Sequence, residues 1–94
     1  MNKNSETNDP EKIKYPITYP LKLIMDNSIA NEINIKNVSD KLDSLKIKYG
    51  TFSSRLSKQG KYVSLSVNVR ISSEDLFKKL YHELQTVEGL KTAI

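Results

Sequence analysis

Cysteine and tryptophan are both absent from the 94 residues. Without thiols the chain has no disulfide, no thiolate metal site, no iron–sulfur cluster and no cysteine nucleophile, a set of absences that fits a reducing compartment. Histidine occurs once, at His82, so no pair of imidazoles exists to hold a metal. Long apolar runs are missing too, and the N-terminal MNKNSETNDPEKIK has neither an apolar stretch nor a small-residue cleavage site. The expected location is cytoplasmic, with no membrane contact. A further gap is electrostatic: between Asp43 and Glu74 there is no acidic residue, while Lys46, Lys48, Arg55, Lys58, Lys61 and Arg70 fall there. The net charge is only +4, but its cationic part is concentrated in the middle of the chain, where it would attract anions.

What is present suits one small domain. Hydrophobic residues make up 37% and charged residues 28%, enough apolar material for one core and too little chain for a second. Residues 1–14 are polar apart from Met1 and Ile13, and are expected to form a disordered tail, leaving residues 15–94 as the domain.

Within the domain the hydrophobic period changes four times. Tyr15-Pro16-Ile17-Thr18-Tyr19-Pro20 biases the backbone toward extended conformations, and a strand is expected from about Thr18 to Met25, with Pro20 near an irregular start. From Ile35 the apolar residues Val38, Leu42 and Leu45 follow at steps of three, four and three, a helical stripe. Asn31 and Asn34 are candidate N-caps, and Lys46 and Lys48 would sit favourably in the last turn. Phe52, Ser54 and Leu56 then alternate with Thr51, Ser53 and Arg55 up to the turn Ser57-Lys58-Gln59-Gly60-Lys61, predicting a second strand and a hairpin. Val63, Leu65, Val67, Val69 and Ile71 alternate strictly with Tyr62, Ser64, Ser66, Asn68 and Arg70, as a strand with one buried and one wet face must. Ser72-Ser73-Glu74-Asp75 opens a second helix with the face Leu76, Phe77, Leu80, Tyr81, Leu84 and Val87. Glu74/Lys78 and Asp75/Lys79 pairs lie on its outside, Glu88-Gly89 ends it, and residues 90–94 form a last short strand.

The order is βαββαβ. Two interleaved right-handed β-α-β units give an α+β, ferredoxin-like sandwich: a four-stranded antiparallel sheet with two helices on one face. The other face is left for solvent or a partner.

Ser57-Lys58-Gln59-Gly60-Lys61-Tyr62-Val63-Ser64-Leu65, the alternating strand after it and Leu80-Tyr81-His82-Glu83-Leu84 resemble the YbeD-like family of small bacterial proteins. Tyr15-Pro16 and Lys22-Leu23-Ile24 are similar to that family's first strand, so the resemblance runs from about residue 15 to the C-terminus. It implies the ferredoxin-like topology shared with regulatory ACT-type domains, and it brings no activity with it. One departure stands after strand one, where relatives commonly place Gly and this chain has Met25 followed by Asp26-Asn27.

No catalytic constellation can be assembled. His82 points away from the Leu76–Leu80–Leu84 stripe and has no converging nucleophile or acid, and Asp75, Glu83 and Glu88 do not repeat a metal-ligand spacing. Gly60 lacks the companion glycines of a phosphate loop, and Ser64 and Ser66 lack a base. No cofactor is expected. What remains is the polar face of strand three with the basic hairpin: Lys22, Arg55, Lys58, Lys61, Tyr62, Ser64, Ser66, Asn68 and Arg70 form the expected interaction surface. The reading is a non-enzymatic binding or regulatory module contacting a protein or a small anionic ligand through this face. The alternative is an RNA-binding domain, since RNA-recognition folds share the topology, although they stack bases on several strand aromatics and here Tyr62 stands alone. A homodimer through the open face or an edge strand is a further arrangement, in which Ile24 would gain from burial.

Overall fold

The βαββαβ order read from the periodicities is the order of the folded chain. A computed structural model describes residues 13–94 and contains β1 (Ile17–Asp26), α1 (Asn31–Ser44), β2 (Ser53–Leu56), β3 (Tyr62–Ile71), α2 (Glu74–Leu84) and β4 (Leu90–Ala93). The expected tail lies outside the described residues except for Ile13 and Lys14, which are exposed and belong to no element. No helix among the described residues is long and apolar enough to cross a membrane.

The sheet runs β2-β3-β1-β4, every neighbour antiparallel. β3 and β1 are the inner pair, in register from Ile17 opposite Ile71 to Asp26 opposite Tyr62. Of their odd-numbered residues, Leu21, Leu23, Met25, Val63, Leu65, Val67, Val69 and Ile71 are buried with Val38 and Leu42 of α1 and Leu80 and Leu84 of α2, and Ile17 and Tyr19 are half-buried against them. This is one core between a sheet and two helices, and its formation removes most of the chain's large aliphatic side chains from water. The even-numbered residues of β1 and β3 form the open face.

Pro20 stands fourth in β1, deeper than an irregular start would place it. Its position is tolerated because the N–H of Lys22, two residues on, points to Ile94, so the Pro20 nitrogen points the same way, beyond the end of β4. The bonds to β3 are untouched.

Four local expectations change. α1 begins at Asn31, well before its apolar stripe, and neither asparagine caps it: the N-cap is Ala30, with no side-chain bond. Asn34 is instead fully buried, donating from Nδ2 to the Asp26 carbonyl at 3.1 Å and the Ile29 carbonyl at 3.4 Å. α1 also ends before Lys46 and Lys48. The Ile47 N–H reaches the Leu42 carbonyl at 2.9 Å and the Lys46 N–H the Asp43 carbonyl at 3.0 Å, a Schellman turn with Lys46 at φ 59° where glycine is usual. Ile47 and Leu42, both buried, supply the hydrophobic contact that accompanies such a turn and holds a lysine in it. α2 keeps its Ser73 N-cap, whose Oγ accepts from the Leu76 N–H at 3.1 Å, but it stops at Leu84, and Gln85–Glu88 lead to Gly89 at φ 86°. Finally, β2 has no buried side at all. It is the last strand of the sheet, and Leu56 remains 60% exposed.

The segment after β1 needs no glycine. No residue there has a positive φ, and Asp26 makes the turn itself, its Oδ1 accepting the Ser28 N–H at 2.8 Å. That bond, with the Ser28 hydroxyl and the Lys91 charge nearby, holds the Asp26 carboxyl below its ordinary pKa.

Candidate functional site on the open sheet face

Sheet register sets which polar side chains meet. Lys22 lies opposite Ser66, which lies opposite Ser53; Ile24 lies opposite Ser64, which lies opposite Arg55. Side chains on one face at these positions are direct neighbours across the strands. Lys22, Arg55 and Ser64 therefore converge from three strands, with Lys58 and Tyr62 closing the group from the hairpin. Together with Ile24, Leu56 and Ser57 they line an open cleft of about 390 Å³. A second depression of about 330 Å³ shares Lys22, Arg55 and Ser64 and adds Ser53, Ser54 and Ser66. No carboxylate among the described residues lines either one.

The hairpin that carries Lys58 is held from both ends. The Ser57 N–H donates to the Tyr62 carbonyl at 2.9 Å, the Tyr62 N–H donates back to Ser57 Oγ at 3.1 Å, and the Gly60 N–H closes on the Ser57 carbonyl at 3.0 Å. Gly60, at φ 73°, takes the left-handed position of this turn. The loop after β1 then grips the turn: Asn27 donates from its backbone to the Lys61 carbonyl at 3.1 Å and from Nδ2 to the Gly60 carbonyl at 2.8 Å. A fixed turn gives the cleft a fixed rim.

Of the nine residues expected to form the interaction surface, Lys22, Arg55, Lys58, Tyr62, Ser64 and Ser66 are brought together in the two adjoining depressions. Lys61 lies on the outer side of the turn, in a shallow depression of about 230 Å³ with Lys58, Gln59 and Tyr62. Asn68 and Arg70 are at the opposite end of β3. There Arg70 Nη1 donates to Thr18 Oγ1 at 3.2 Å, and both border a separate hollow with Lys48 and Tyr49. A single line of polar residues in the sequence thus becomes two separate surfaces. Ser53, Ser57, Ile24 and Asn27 belong with the cleft and were not singled out as site residues. Ile24 carried a signal, as an aliphatic side chain on a polar face, but the role of Asn27 depends on a contact 33 residues away that no local pattern encodes.

His82 is exposed on α2, away from this face, and among the described residues no group of histidine and acidic side chains could hold a metal ion. The cleft offers ammonium and guanidinium groups, hydroxyl donors and one exposed ring. Those groups can bind an anion.

Comparisons with known proteins place this geometry in a wider group. A UPF0250 protein of Shewanella woodyi is 26% identical over 93 residues, spanning 95% of this chain and 98% of the relative, and one from Shewanella piezotolerans is 26% identical over 91 residues with the same coverage. The solution structure of HP0495 from H. pylori superposes with a TM-score of 0.72 at 17% identity, over 100% of this chain and 97% of that one. The ACT domain from GTP pyrophosphokinase of Chlorobium tepidum gives 0.63 at 11% identity, over 85% and 97%. At these identities the structures establish a shared ferredoxin-like, ACT-like fold and nothing about ligands. Residues 10–94 match the family described as "Protein of unknown function (DUF493)", and the chain belongs to that family.

Proposed function

We propose that the protein is a non-enzymatic binding or regulatory module whose ligand or partner is anionic and engages the cleft at the hairpin end of the open sheet face. The observation that carries this reading is the convergence of Lys22, Arg55 and Lys58 from three segments around one cleft with Tyr62 and Ser64 and, among the described residues, no lining carboxylate. No carboxylate among the described residues lines the cleft to neutralise these cations, and a bound anion would do so. Likeness of fold to an ACT domain lends the regulatory half of the reading an analogy only. RNA binding by the same cations is the second reading, with Tyr62 as its one exposed stacking surface beside the cleft.

Calorimetric titration with inorganic pyrophosphate at low salt tests the reading. Wild-type protein is expected to bind with an affinity that falls as salt rises, and Arg55→Glu/Lys58→Glu to bind about tenfold or more weakly at unchanged thermal stability. Equal affinity of the two proteins would sink it. Short single-stranded RNA binding far more tightly than pyrophosphate, through Tyr62, would favour the second reading.

A further inference from the structure

We propose that the outer edge of β2 docks an extended acidic segment of a partner protein, which adds to the sheet as a fifth strand and lays its carboxylates into the basic cleft. The inference rests on the anion-binding reading above and adds the form in which the anion arrives.

β2 ends the sheet. It pairs with β3 over Ser53–Leu56, and no strand among the described residues pairs with its other side, so a row of backbone groups there faces outward. All four of its residues are exposed. Exposed edges of this kind accept a further strand, the backbone ladder supplying affinity and alternate side chains supplying specificity.

Register specifies the guest's pattern. Arg55 pairs with Ser64 and lies on the open face beside Lys22 and Lys58; Leu56 pairs with Val63, so its register position is on the helix face, and at the strand's edge it stays 60% exposed and also borders the cleft. A strand laid along this edge presents successive side chains to opposite faces. Its complement to Arg55 is a carboxylate, and its complement to Leu56, one residue on, is an apolar side chain. The fitting segment therefore alternates acidic and apolar residues.

Two other occupants fit less well. A second copy pairing edge to edge would set one Arg55 and Lys58 against another, and no acid occurs between Asp43 and Glu74 to offset them. A small anion would satisfy the cations but leave the outward backbone groups unused.

The test is an amide NMR titration of the full chain with acetyl-Glu-Val-Glu-Val-Glu-amide and, separately, with acetyl-Glu-Pro-Glu-Pro-Glu-amide, which keeps the charge and cannot build a ladder. The first peptide is expected to shift the amides of residues 53–56, to slow exchange of those on the outer edge, and to bind about tenfold more tightly than the second. Equal binding of the two would overturn strand addition and leave the anion site standing. Failure of both peptides while pyrophosphate binds would overturn it as well, and failure of pyrophosphate too would remove the anion reading itself. A concentration-dependent dimer shifting the same amides without peptide would assign the edge to a second copy and contradict the proposal.

Discussion

Gly89, Asn34 and Ile29 form a tight joint. A Cβ at Gly89 would stand 2.7 Å from Ile29 Cδ1 and 3.2 Å from Asn34 Oδ1, and the backbone there has φ 86°. The glycine is needed twice, for its conformation and for the close approach of the turn after α2 to the loop after β1. Gly89→Ala is expected to destabilise the fold by about 1–3 kcal/mol, from backbone strain and overpacking, read as a lower urea midpoint with unchanged slope. Tyr81 offers a pH handle. Burial, then its contact with the Tyr19 hydroxyl at 3.3 Å, raises its pKa above the ordinary tyrosine value. A raised folded-state pKa stabilises fully below the unfolded value, about 10, and that stability is lost as pH rises through the folded value. Wild-type protein should therefore lose stability above about pH 10 more steeply than Tyr81→Phe, which keeps the ring packed on Phe77 at 5.2 Å. Parallel slopes in alkaline denaturation would contradict this.

The elements divide into a buried inner pair and an exposed margin. Leu80, fully buried from α2 in the core, should cost about 2–5 kcal/mol when changed to alanine, whereas Leu56→Ser on the edge strand should change stability by less than about 0.5 kcal/mol. Chemical denaturation of both variants checks the contrast. The same division explains what could be read from sequence. β3 was legible to the residue because one face of an inner strand must be buried, and that demand writes a period of two into Tyr62–Ile71. β2 was legible only as an extended segment, since an edge strand with four exposed residues places no such demand on Leu56. Helix ends were the least legible. Asn34 resembles a cap in sequence but is used as a buried clasp on the loop after β1, and the Schellman turn at Lys46 lacks the glycine that usually announces it.

At the scale of the whole molecule, most acids of the described residues lie on the helices, where Lys36, Lys41, Lys78 and Lys79 partly offset them, and most cations without such neighbours lie on the sheet side. Glu32, Asp40, Asp43, Glu74, Asp75 and Glu83 lie on the helices, while Lys22, Arg55, Lys58, Lys61 and Arg70 lie on or beside the open sheet face. The acid-free middle of the sequence forecast this field, but the twofold division of the face did not follow from it. Strand pairing gathers Lys22, Arg55 and Lys58 at the hairpin end and leaves Arg70 engaged with Thr18 at the other. Under the proposed function, anions bind at the hairpin end. Mapping amide shifts on titration with pyrophosphate tests it most directly: the largest shifts should fall at Lys22, Arg55, Lys58, Tyr62 and Ser64. Shifts centred on Asn68 and Arg70, or spread evenly over lysines of both layers, would contradict it.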